Sequence, residues 1–186
     1  MKNFRSKMIL LLLFVTGPLV AQKRLAVESG KIEFTSDAPM ELIKASTEKV
    51  KGMIDPDANT FAFVVDVKSF TGFNSTLQQQ HFNERYMESQ TYPEVSFTGH
   101  IIDPVDFFKN GTYQARTKGQ LNIHGKKQVR MINNTIVVEK GMIVIESNFS
   151  IPLADHDIKI PKVVSQKIAS EVFVKIRISM KEKAGK

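Results

Sequence analysis

Most of this chain alternates apolar and polar residues with a period of two. That pattern confines it to half-buried β-strands. Tyr113, Ala115, Thr117, Gly119, Leu121 and Ile123 alternate with Gln114, Arg116, Lys118, Gln120, Asn122 and His124. Val172, Val174, Ile176, Ile178 and Met180 alternate with Glu171, Phe173, Lys175, Arg177 and Ser179. Shorter runs share the period: Ile32 and Phe34; Phe61, Phe63, Val65 and Val67; Val95 and Phe97; Ile143, Ile145, Phe149 and Ile151. Each strand would turn one face to an apolar interior and the other to water. Strands of about ten residues are long for a sandwich and suit the tilted staves of a barrel.

Turn chemistry separates the runs. Asp55-Pro56-Asp57-Ala58-Asn59 reads as a reversal, Asn110-Gly111 as the strongest hairpin signal, and His124-Gly125-Lys126 and Lys140-Gly141 as two tight turns. Connections this short imply antiparallel neighbours. One segment leaves the pattern. Ser75-Thr76-Leu77-Gln78 fits a capping box, and Leu77, Phe82 and Tyr86 then fall on one side, so a helix is expected over 76–87. Pro93 closes the loop before the Val95 strand. Repeats, low-complexity tracts and linkers are lacking, so no boundary divides the chain.

The start is different in kind. Lys2, Arg5 and Lys7 precede the apolar run Met8–Val15, broken by Thr16-Gly17-Pro18 and followed by Leu19-Val20-Ala21. A basic start, a short apolar stretch and a small final residue make a secretory signal peptide, with cleavage expected after Ala21. The run is far short of the ~20 residues a spanning helix needs, and no second one follows. The expected division is therefore 1–21 signal peptide and 22–186 barrel domain, with a periplasmic or secreted destination. The leader carries three basic residues, so the formal charge of +7 falls by three to +4. The remaining Lys and Arg are mixed with Asp and Glu, which does not support a nucleic-acid groove.

Candidate chemistry is sparse. With no Cys there are no disulfides, thiolate metal sites or Cys nucleophiles, and with no Trp the usual aromatic anchor of sugar sites is missing. His81, His100, His124 and His156 lack the close spacing of a metal pair. Asp155-His156-Asp157 is the densest polar cluster; it could do acid–base work, and its plainer reading is a solvated loop. Motifs for Ser hydrolases, phosphate loops, dinucleotides and zinc peptidases are absent. Four Asn-x-Ser/Thr triplets begin at Asn74, Asn110, Asn133 and Asn148, two of them inside expected strands. The apolar strand faces could form a filled core or line a ligand cavity, and periodicity does not separate these.

Three blocks in order carry a resemblance. They are His81-Phe82-Asn83-Glu84-Arg85-Tyr86-Met87-Glu88-Ser89-Gln90-Thr91-Tyr92-Pro93-Glu94-Val95-Ser96-Phe97, then Gly119-Gln120-Leu121-Asn122-Ile123-His124-Gly125-Lys126-Lys127, then Phe149 through Pro161. With the leader, they make the chain similar to the YceI-like family of exported lipid-binding proteins from about Ser29 to Met180. It departs from the family in lacking the Phe-Phe-Asp of the helix block and the Trp-bearing segment before the first strand. The resemblance implies an all-β fold: an eight-stranded antiparallel, lipocalin-like barrel with one helix between strands. It implies a polyisoprenoid or similar long-chain amphiphile in the barrel, and leaves a homodimer open.

The reading adopted is an exported carrier for such a chain, not an enzyme and without a cofactor or metal. Phe61, Phe63, Val65, Phe97, Leu121, Ile123, Phe149, Val174 and Ile176 are the expected lining. Tyr92, with Asp155 and His156, is expected near the mouth. The rival readings are a lipid-acting hydrolase or isomerase using Asp155 and His156, and a stress-related barrel with a filled interior.

Overall fold

The computed structural model describes residues 23–183. The expected leader, 1–21, lies outside the described residues. Three tight turns fix the strand register. Residues 55–59 reverse the chain, with Asp55 Oδ1 accepting from the Asp57 and Ala58 amides and Asn59 in the left-handed region at φ 52°. His124-Gly125 (φ 51° and 72°) and Lys140-Gly141 (φ 50° and 78°) are two-residue turns with both central residues left-handed. That turn matches the right-handed twist of the strands it joins.

Nine strand segments result: β1 (Arg24–Ala38), β2 (Glu41–Thr47), β3 (Val50–Asp55), β4 (Thr60–Asp66), β5 (Glu94–Ile101), β6 (Gly111–Ile123), β7 (Lys126–Glu139), β8 (Met142–Pro152) and β9 (Glu171–Lys183). They form one antiparallel sheet that closes when β1 pairs with β9, from Arg24↔Lys183 to Thr35↔Phe173. β2 and β3 are halves of one stave, since both pair with β1: Ile32–Ala38 against β2, Leu25 and Ala26 against β3. The barrel is thus eight-stranded. The break follows from Thr47, whose Oγ1 accepts from the Lys49 amide at 3.0 Å and shares a 2.7 Å bond with Ser69 Oγ. A side chain that bonds its own backbone two residues on competes with the ladder.

Curvature needs close backbone approach. Gly99 and Gly119 face each other on β5 and β6. A Cβ on Gly99 would stand 2.2 Å from the Lys118 carbonyl oxygen, and one on Gly119 2.3 Å from that of Thr98. Glycine is required at both positions for the sheet to bend there.

Ser75 caps α1 (Thr76–His81), its Oγ accepting from the Gln78 amide at 3.1 Å. The reciprocal bond goes one residue further back, from the Asn74 amide to Gln78 Oε1. The expected helix over 76–87 is shorter as an α-helix and continues as one π-type turn, Phe82–Tyr86. Asn110-Gly111 is not a hairpin turn. β5 ends at Ile101 and residues 102–110 form a longer loop, in which Phe107 is buried. Asn110 instead serves its neighbour, its Oδ1 accepting from the Lys140 amide at 3.1 Å.

The topology sorts the connections. One end carries the β1–β2 turn, the 67–93 segment with α1, the β6–β7 turn and the 153–170 connection. The opposite end carries the β3–β4 turn, the 102–110 loop and the β7–β8 turn. At that second end Leu25, Phe107, Ile143 and Met180 are each at most 2% exposed and join one packed core.

Candidate functional site

Above that packed end the interior is a cavity of about 500 Å³. Its floor reaches Ile54, Ile101, Ile136, Ile145 and Ile178, and its rim is formed by α1 and the 164–168 segment. Inward side chains of every stave contribute, because alternate residues of a strand share a face. Phe61, Phe63 and Val65 on β4, Phe97 on β5, Leu121 and Ile123 on β6, Phe149 on β8, and Val174 and Ile176 on β9 all line it. These are the nine residues expected to form the lining, and other alternating residues such as Ile32, Phe34, Val95 and Ile178 join them.

An aromatic cluster roofs the cavity. Phe34 stacks on Phe82 with ring centroids 5.5 Å apart, and Phe70 and Phe73 lie against both. Phe70, Phe73 and Phe82 come from the connection between β4 and β5, so strand alternation gave no sign of them. Their signal was the recurrence of Phe in an otherwise polar segment.

Among the polar lining residues is an interstrand knot. Asn134 Nδ2 donates to the carbonyls of Ala115 and Ile132, each at 3.0 Å, and Asn134 Oδ1 accepts from Ser147 Oγ at 2.5 Å. The β7–β8 ladder stops at the Asn134↔Ser147 pair, while β6–β7 continues to Ile123↔Lys126. The knot therefore sits where β8 leaves β7, and it gives the buried Asn134 amide and Ser147 hydroxyl their partners. Sequence pattern missed it because alternation treats an amide as a solvent-facing residue.

Tyr92, Asp155 and His156 are not part of the lining. Tyr92 packs edge-on against His124, ring centroids 4.6 Å apart. His124 donates from Nδ1 to the His156 carbonyl at 3.1 Å, and its Nε2 lies 3.2 Å from Glu88 Oε1, close enough for ion pairing though poorly aligned for a hydrogen bond. His156 is 1% exposed and donates from Nδ1 to the Lys126 carbonyl at 3.2 Å. Burial pushes its imidazole below the ordinary range, against the pull of the Lys126 and Ile123 carbonyls and Asp155. Asp155 sits 3.7 Å from Arg130, and Asp157 2.7 Å from Lys126 Nζ. That partner lowers Asp157 and is itself raised by it.

Three non-glycine residues of this cluster, Glu88, His124 and Asp157, hold left-handed φ values of 44°, 51° and 56°. The cluster ties the short 153–156 helix and the end of the π-type turn to the β6–β7 hairpin. The side chains of His124, His156, Asp155 and Asp157 bond backbone carbonyls or basic partners outside the cavity lining. Of the other histidines, His81 lines the rim from α1 and His100 lies near the end of β5. Among the described residues no group of three His, Asp or Glu could hold a metal ion, and no helix is long and apolar enough to cross a membrane.

Comparison with known proteins agrees with this architecture. The model of the YceI-like domain matches residues 24–180, and the chain belongs to that family. A polyisoprenoid binding domain from Saccharophagus degradans is similar in structure, with a TM-score of 0.72 at 15% identity over 86% of this chain and 98% of that one. Burkholderia cenocepacia BcnA gives 0.68 at 17% identity, over 81% and 95%. A mutant YCEI protein of Campylobacter jejuni gives 0.56 at 13% identity, over 99% and 100%. No curated protein matches the chain.

Proposed function

We propose that this protein is an exported carrier that holds a polyisoprenoid or similar long-chain amphiphile in its barrel. The observation that carries the reading is the cavity: about 500 Å³, walled almost entirely by aliphatic and aromatic side chains. Each methylene buried there contributes about 0.8 kcal/mol before ordering costs. A tail of several isoprene units then binds firmly with few polar contacts. Phe61, Phe63, Val65, Phe97, Leu121, Ile123, Phe149, Val174 and Ile176 are its proposed contacts. The structural likeness to a polyisoprenoid binding domain supports the ligand class, and the basic, apolar start of the chain supports export.

Binding is favoured over turnover because His156, the acid–base candidate, is buried outside the cavity and bonded to a backbone carbonyl. Native mass spectrometry of the purified protein, followed by extraction and identification of any lipid, tests the proposal. The expected result is a stoichiometric apolar chain, or uptake of an added polyprenyl compound. Protein that carries none and takes none up would sink it.

A further inference from the structure

We propose that the cavity rim docks on an anionic lipid surface. This rests on the carrier reading above, since a chain too apolar for water needs a route from bilayer to cavity. Residues 158–170 carry Lys159, Lys162 and Lys167 and no carboxylate. Within them Val163 is 89% exposed, an unusual position for an aliphatic residue on a short helical turn. The segment is part of the cavity wall: Val164, Lys167 and Ile168 line it.

Two neighbouring elements extend the same surface. The tip of the β1–β2 hairpin is bonded to the segment through the Met40 amide and the Gln166 carbonyl at 2.8 Å, and Met40 is 70% exposed. α1 is bonded to that hairpin through Gln78 Nε2 and Glu41 Oε1 at 2.8 Å, and its Leu77 is 58% exposed while lining the cavity. Exposed apolar side chains thus ring the opening, with lysines beside them. Neither Lys162 nor Lys167 is ion-paired within the described residues.

The carboxylates at this end include Asp37 and Glu41 on the hairpin, Glu41 being engaged by the Gln78 and Asn74 amides, Glu84 and Glu88 after α1, Asp155 and Asp157 paired with Arg130 and Lys126, and Glu171 at the start of β9; none lies within 158–170. Apolar groups that enter the interface and lysines that meet its phosphates are the two components of peripheral membrane binding. A second copy is disfavoured as the occupant, because the two lysine-bearing 158–170 segments would face each other. Docked this way, the opening meets the acyl region directly and the chain transfers without crossing water.

The test is co-sedimentation of residues 22–186, within which the barrel closes through β1 and β9, with two kinds of vesicle. One is phosphatidylcholine alone; the other is phosphatidylcholine with phosphatidylglycerol. Binding is expected only to the anionic vesicles and is released by raised salt. Lys159→Glu with Lys162→Glu, neither of which lines the cavity, weakens it about tenfold or more. Val163→Asp weakens it separately. Circular dichroism and native mass spectra of these surface variants stay those of the wild type. Chain-loaded protein that ignores anionic vesicles overturns the proposal, as does binding indifferent to charge reversal. A stable dimer that Val163→Asp dissolves also overturns it. The carrier reading fails separately: protein without any bound chain that still binds anionic vesicles in a salt-dependent way leaves the docking surface standing.

Discussion

The two ends of this barrel are built from the same strands and do opposite things. At the end closed by the 102–110 loop, Leu25, Phe107, Ile143 and Met180 fill the space between the staves. At the end bearing α1, equally apolar side chains stand back around a cavity. The difference is not one of hydrophobicity. It lies in whether a connecting loop sends a large side chain down the axis. The 102–110 loop sends Phe107; the elements at the other end place Phe70, Phe73 and Phe82 against Phe34 as a roof to one side.

Phe107→Ala should break that contrast most strongly. It removes a packed ring at the closed end and is expected to cost about 3–5 kcal/mol. Truncating a cavity residue, Ile176→Ala, enlarges a space that already exists and should cost about 2 kcal/mol, the low end for such a change. Thermal unfolding of both variants measures the ratio, at roughly 2–4 °C per kcal/mol for a chain of this size. Equal losses would mean that the two ends are packed alike.

Val174→Phe sharpens the comparison from the other side. A larger side chain has room in the cavity, so stability should hold within about 1 kcal/mol, whereas overpacking a dense core costs more. Uptake of a polyprenyl chain should fall about tenfold, close to 1.4 kcal/mol of binding. A titration by native mass spectrometry or by displacement of a fluorescent lipid reads this directly.

The smallest effect belongs to the polar cluster beside the cavity end. Burial holds the folded-state pKa of His156 below its ordinary 6.5, so the unfolded chain binds the proton more readily. Stability from the neutral imidazole is therefore fully present above pH 6.5 and declines as pH falls toward the lowered folded value. The melting temperature should drop between about pH 7 and pH 5. His156→Asn keeps an N–H near the position of Nδ1 for the Lys126 carbonyl and should flatten that slope. An identical slope in the variant would place the titration elsewhere.

The sequence made some of this plain and hid the rest for physical reasons. β6 and β9 alternate without interruption, so their inward faces could be assigned residue by residue. β2 and β3 could not, because Leu42 and Ile43 are adjacent apolar residues and Thr47 breaks the stave. In β7 the inward series Ile132, Asn134, Ile136, Val138 contains an amide that alternation treats as a solvent residue. Asn110-Gly111 carries strong turn chemistry, yet the pairing of Ile101 with Thr117 leaves a loop where a hairpin was expected. Tyr92, Asp155 and His156 were grouped by their polarity. They do gather at the cavity end, but their partners are His124, Arg130 and the Lys126 carbonyl, contacts that only the fold creates.

The closing pair of the barrel sets a timetable for the whole chain. β1 can form its hairpin with β2 as soon as about 25 residues of the domain exist, but its other edge waits for β9, about 130 residues later. Until residues 171–183 arrive, the growing sheet carries two open edges and an uncovered apolar face. Such non-local closure is slow and exposes the intermediate to aggregation. With no disulfide to hold a partial structure, the last strand is what shuts the sheet, and shortening it would leave both edges open.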